Sequence, residues 1–209
     1  MCYMGKQDVC IEAKETELQV SLSIKKPSMR YLDEFVKLKC APDLLASGVF
    51  PNAKEITESL TCYNAARQHL RKDFPLNDKD VTCVVVGDGN TPRTGAIFAM
   101  RTAWQVISID PRLKLDKGYN IKRLMMFPHK IEEYITYGVA TPIVIVACHS
   151  HANWEQMLKP FKRVTKLAII ALPCCVPTGD NPDVEYADWG CWSPCRTVKV
   201  WRPKAEATS

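Results

Sequence analysis

Between Val81 and Gly95 a β-branched run, Val81-Thr82-Cys83-Val84-Val85-Val86, stops at Gly87-Asp88-Gly89-Asn90-Thr91-Pro92 and gives way to helix-forming residues. Glycines at 87 and 89 let the backbone turn tightly and approach a ligand at a point where a Cβ would obstruct it. Twenty-one residues beyond Gly89, in Ser108-Ile109-Asp110-Pro111, an acid closes the next apolar run. A carboxylate at the end of a second strand can accept both hydroxyls of a ribose. A glycine turn with an acid one strand further on is chemistry for an adenosine-bearing ligand. It places Gly87, Asp88, Gly89, Asn90, Thr91, Asp110 and Pro111 against that ligand. A pyrophosphate dinucleotide asks for a third glycine where Pro92 stands, which disfavours a nicotinamide cofactor.

A second set of reactive side chains lies further along. Ile143-Val-Ile-Val-Ala-Cys-His-Ser-His151 ends an apolar run in Cys148, His149 and His151, and Ala171-Leu172-Pro173-Cys174-Cys175 ends another in thiols. Either histidine can act as a general base near neutral pH or position an acceptor, and Cys174 beside a histidine could be an activated thiolate. Cys148, His149, His151, Cys174, Cys175, Cys191 and Cys195 include the ligand types of a zinc site. Their spacing argues against one, since Cys191 and Cys195 form C-x3-C and no C-x2-C pair exists, so no metal is expected.

The elements that must position these residues alternate. Ile56, Leu60, Tyr63 and Leu70 fall at helical spacings from Ala53 onward, with Glu55 and Glu58 early and Arg67, Arg71 and Lys72 late. That charge order predicts an amphipathic helix ended by Pro75. Strands are predicted at 81–86, 104–109, 123–127, 142–147 and 167–172, with helices near 92–102 and 152–161. Such a rhythm predicts an α/β, Rossmann-like, doubly wound and mostly parallel sheet. Thr197–Trp201 alternates and is expected as an antiparallel edge strand. Residues 1–52 are expected as an N-terminal helical and strand extension or lid, with a strand at Leu18–Ile24 and a basic patch at Lys25, Lys26 and Arg30. Residues 53–209 then form the main domain. Strands of a parallel sheet bring their carboxyl ends together, so Gly87 to Thr91, Asp110, Phe127 to His129, Cys148 to His151 and Pro173 to Cys175 should rim one crevice.

Composition bounds the reading. The chain has 209 residues, ten of them cysteine, well below the ~8–10% of a short disulfide scaffold. The start shows no apolar export segment and no run approaches the ~20 residues that span a bilayer, so reduced thiols in a cytoplasmic-type compartment and no membrane association are expected. A net charge of +5 permits an anionic partner such as RNA.

The Val84–Gly95 turn with Asp110 resembles the first motif of class I S-adenosylmethionine-dependent methyltransferases. The Cys148-His149 and Pro173-Cys174-Cys175 strand ends are similar to a methyltransferase-like subgroup that includes the tRNA 2′-O-methylating type. The resemblance covers about residues 81 to 176. It implies S-adenosylmethionine as cofactor, held by Gly87 to Thr91, Asp110, Pro111 and Cys148, with His149, His151 and Cys174 on the acceptor side and RNA as the implied acceptor. The family carries an acid two positions before the first glycine where this chain has Val85, and the C-terminal part leaves little room for a final helix and hairpin. Both departures favour the rival expectation, a domain that has lost catalysis and binds protein partners within a larger assembly.

Overall fold

The computed structural model describes residues 8–13, 20–25, 28–136 and 141–204. β1 (Asp8–Ala13) and β2 (Val20–Lys25) pair antiparallel as a two-stranded sheet of their own. The period-two alternation therefore gives β2. Leu18 and Gln19 at its start, and Lys26 with Pro27 in the basic patch, lie outside the described residues.

The main sheet comprises β3 (Thr82–Val86), β4 (Gln105–Ile109), β5 (Leu124–Phe127), β6 (Ile143–Cys148), β7 (Leu167–Leu172), β8 (Val184–Ala187) and β9 (Thr197–Trp201), in the order β5-β4-β3-β6-β7-β9-β8. The pairs among β3 to β7 are parallel, and β9 is antiparallel to both neighbours. This is the mostly parallel, Rossmann-like α/β sheet that the sequence predicts. Two expectations are corrected. Thr197–Trp201 is antiparallel but interior, because Val198 and Val200 bury against the core and the short β8 takes the edge. The final hairpin is present as β8 and β9, reached by a loop from β7 with no helix, so the C-terminal part has room for it after all.

Helices α1 (Arg30–Val36), α2 (Ala41–Ala46), α3 (Ala53–His69), α4 (Arg93–Arg101) and α5 (Trp154–Leu158) complete the fold, with 3-10 turns at Ile131–Glu133 and Lys159–Phe161. Alternate sheet residues face opposite layers. Cys83, Val85, Val144, Val146 and Ile170 join one core with Phe35, Leu44, Leu60 and Phe98 from α1 to α4. Val84, Val86, Ile145 and Ile169 join a second core with Ile131, Met157 and Phe161. The segment holding α1 and α2 thus packs into the same core as the sheet. α3 follows Asn52, whose side chain accepts the Glu55 N–H at 3.1 Å, and carries Arg67 in its last turn as the charge order predicts, but it ends at His69, before Arg71, Lys72 and the expected stop at Pro75. No helix among the described residues is long and apolar enough to cross a membrane.

Candidate active site

The β3–α4 turn is built from two left-handed glycines, Gly87 at φ 78° and Gly89 at φ 81°. A Cβ at 87 would lie 2.6 Å from Ser150 Oγ and 2.9 Å from Ser150 Cα, and one at 89 would lie 2.7 Å from Arg93 Nη1. The glycine at 87 is therefore demanded by the loop after β6 as well as by the turn. Gly89 N–H donates to Asp110 Oδ2 at 2.9 Å, and Arg112 N–H donates to Asp110 Oδ1 at 2.8 Å. These bonds fix one carboxylate, only 4% exposed as a residue, across the tips of β3 and β4.

Asp88 has a different place from the one expected of it. Its Oδ1 accepts from Thr94 N–H and its Oδ2 from Gly95 N–H and Ser108 Oγ–H, so it caps α4 from the preceding turn. Pro92 occupies the helix N-cap and has no side-chain acceptor, which explains why the acid is spent there. Burial pushes its carboxyl up, against Arg93 and the helix donors that pull it down. A carboxylate so engaged faces the helix rather than a ligand. Asn90 and Thr91 likewise tie the turn to its neighbours: Lys114 N–H donates to the Asn90 carbonyl at 3.1 Å, and Thr91 Oγ–H to the Val49 carbonyl at 2.7 Å.

Beyond the strand tips opens a crevice of about 400 Å³, lined among others by Gly87, Asp110, Pro111, His129, His149 and His151. The ends of β3, β4, β5 and β6 meet here through Gly87, Asp110, His129, His149 and His151, whereas the expected Pro173 to Cys175 at the end of β7 do not line this crevice. Arg112, Lys130, Glu132, Asn153 and Gln156 also line it and had no sequence signal of their own. A larger concavity of about 770 Å³ lies elsewhere, along Arg30, Arg67, Arg71, Tyr186 and Trp189, and holds neither the glycine turn nor Asp110.

His149 and His151 part company. His149 stands at φ 50°, a left-handed backbone unusual for a side-chain-bearing residue, and this turns its ring toward α3. Its Nε2 lies 2.9 Å from Glu58 Oε1, and Lys54 Nζ lies 2.7 Å from the same oxygen. Burial alone would raise the Glu58 carboxyl, but the His149 imidazole and the Lys54 ammonium hold it down to about 2. Alongside, Arg93 Nε is 2.5 Å from Glu55 Oε2. The first two turns of α3 are thus tied by charge to both the glycine turn and the end of β6. Both ring nitrogens of His149 are buried and neither makes a hydrogen bond of good geometry among the described residues, so the contact with Glu58 is one of proximity. In the sequence Glu55 and Glu58 read as helix-dipole charges, and the burial of Glu58 is signalled there by nothing beyond its place between the apolar Ile56 and Leu60.

His151 points instead to the thiols of the next loop, with Cys175 Sγ 3.5 Å from its Nε2. Cys174 Sγ lies 3.5 Å from Cys175 Sγ. Burial and the contact with Cys175 push the Cys174 thiol up, the reverse of an activated thiolate. Cys148 is buried at 5% exposure in the core on the α3 side, where contact with Cys62 and burial push its thiol up. It does not line the crevice, because the pleat aims the last residue of β6 inward.

No model of a protein family and no curated protein matches the sequence. Among solved structures, the chain is similar to a point mutant of MtNAS in complex with S-adenosylmethionine, with a TM-score of 0.52 and 11% identity over 84% of this chain and 72% of that one. A TehB-like SAM-dependent methyltransferase from Corynebacterium glutamicum aligns over 84% of this chain and 97% of its own, with a TM-score of 0.46 and 12% identity. The likeness is one of fold: this chain shares the Rossmann-like, mostly parallel α/β architecture of the S-adenosylmethionine-bound MtNAS mutant.

Proposed function

We propose that the protein is an S-adenosylmethionine-dependent methyltransferase. The observation that carries the reading is the Asp110 carboxylate, pinned by Gly89 N–H and Arg112 N–H at the mouth of a crevice at the strand ends. In open α/β sheets that is where ligands bind. The donor set suits this cofactor: carboxylate lone pairs for ribose hydroxyls, Pro111 and Ile131 as apolar surface for an adenine, and the Gly87–Gly89 backbone for the methionine portion. When bound, the sulfonium supplies a methyl group on a good leaving group. The chain's own residues then have to align an acceptor and manage its proton. His149, which lines the crevice with its Nε2 2.9 Å from Glu58 Oε1, serves as general base. His151 and Cys174 flank the acceptor side. RNA is the acceptor class we assign, supported by the net charge of +5 and by Arg67 and Arg71 along the larger groove.

A second reading, a binding module without catalysis, draws support from Val85 where the family places an acid and from Asp88, which is committed to capping α4. Isothermal titration separates the two. Micromolar binding of S-adenosylmethionine, lost in Asp110→Ala and absent for NAD, is the expected result. Binding of neither ligand would replace the enzyme reading with the module.

A further inference from the structure

The loops after β6 and β7 are brought together because those strands are parallel neighbours, with Cys148 opposite Leu172 in register. One loop delivers His151 and the other Cys174 and Cys175. Their ligand atoms all lie within 4.8 Å of one another. Cys175 Sγ to His151 Nε2 and Cys174 Sγ to Cys175 Sγ are both 3.5 Å. A tetrahedral zinc with bonds of about 2.3 Å to sulfur and 2.0–2.1 Å to nitrogen requires edges of about 3.8 Å between sulfurs and about 3.6 Å between sulfur and nitrogen. The observed spacings are close to those of a coordination shell before the metal draws it to final geometry. We propose that His151, Cys174 and Cys175 form a site for a soft divalent cation of the zinc class, with three protein ligands and an open fourth position.

Donor chemistry and exposure both fit. Two sulfurs and an imidazole select zinc-like ions over the hard cations that prefer oxygen. On binding, each cysteine releases its proton to solvent and ligates as thiolate, so no oxidant or reductant enters the step. His151 and Cys175 are exposed, and His151 also lines the crevice, which leaves the fourth position facing solvent at the acceptor side. Three protein ligands with an open position is the catalytic pattern of zinc sites, able to take a water or an acceptor thiol. Cys195 Sγ reaches the Cys174 carbonyl at 4.0 Å and so braces the loop rather than joining the shell. The convergence comes from the fold rather than from local spacing. The C-x3-C pair weighed in the sequence contributes no ligand.

The test is cobalt titration of the full chain under a phosphine reductant, without S-adenosylmethionine, so its outcome is separate from that of the cofactor titration. One equivalent of Co2+ should give a near-ultraviolet sulfur-to-cobalt charge-transfer band with visible ligand-field bands, displaced by Zn2+. His151→Ala and Cys175→Ser should each weaken binding by more than the roughly 10–100-fold that loss of an outer-shell partner costs. Both residues are exposed, so far-ultraviolet circular dichroism should be unchanged. Cys40→Ser, outside the cluster, should keep the full band. Azide should shift the ligand-field bands by entering the open position. The absence of a charge-transfer band, or its survival in the Cys174→Ser/Cys175→Ser double variant, overturns the site. Ligand-field bands indifferent to azide overturn the open position.

Discussion

A buried acid usually loses its charge, yet Glu58 keeps its own because Lys54 and His149 converge on one oxygen. Its carboxyl sits at about 2 against an ordinary 4.5, so the ionised form is favoured by folding. That contribution is whole above pH 4.5 and drains away as pH falls toward about 2. Thermal midpoints measured over this window should fall more steeply for the natural chain than for Glu58→Gln, with the gap between them closing at the acid end. Equal slopes would remove Glu58 from the acid response. At this scale, types and spacing showed which residues could do chemistry but not which way each one faces. Asp110 and the two histidines were legible because strand ends converge. Asp88 was not, since only the structure shows Pro92 at an N-cap that needs an outside acceptor. Nor was Cys148, whose direction depends on the phase of a pleat that an all-apolar strand does not reveal.

Among elements, the β3–α4 turn and the loop after β6 are interlocked at Gly87. Alanine there meets Ser150 main chain at 2.9 Å while the backbone holds φ 78°, so the cost combines conformational strain with a displaced neighbouring loop. Gly87→Ala should destabilise the protein by roughly 1–3 kcal/mol, read as a lower urea midpoint at unchanged slope. S-adenosylmethionine affinity should fall with it, because Ser150 sits between the two histidines of the crevice. A variant of normal stability would mean the loop yields freely. The strands and long helices were readable because apolar runs and charge order encode them locally. β8 was not, because four residues carry too little period-two signal, and the antiparallel insertion of β9 rests on pairing that no local pattern specifies.

For the molecule as a whole, a ligand that binds only the folded state shifts the unfolding equilibrium by mass action. S-adenosylmethionine at a hundredfold excess over its dissociation constant adds about 2.7 kcal/mol, which raises the thermal midpoint of a chain this size by roughly 5–10 °C. Scanning calorimetry with and without ligand reads this directly, and Asp110→Ala should abolish the rise. The two sides of the sheet are unequally covered: α1 to α4 pack on one, while the other has, among the described residues, the five-residue α5 and two 3-10 turns. The lateral boundaries of the sheet are guarded in another way. β5 and β8, its outermost strands, are four residues each, the shortest of the seven. β5 is confined between Arg123 at φ 66° and Pro128, and β8 follows Asn181 at φ 53° and Pro182. Each flank therefore offers a stray polypeptide only a brief row of unsatisfied amides, so a sheet with a strongly apolar interior is protected from edge-to-edge polymerisation.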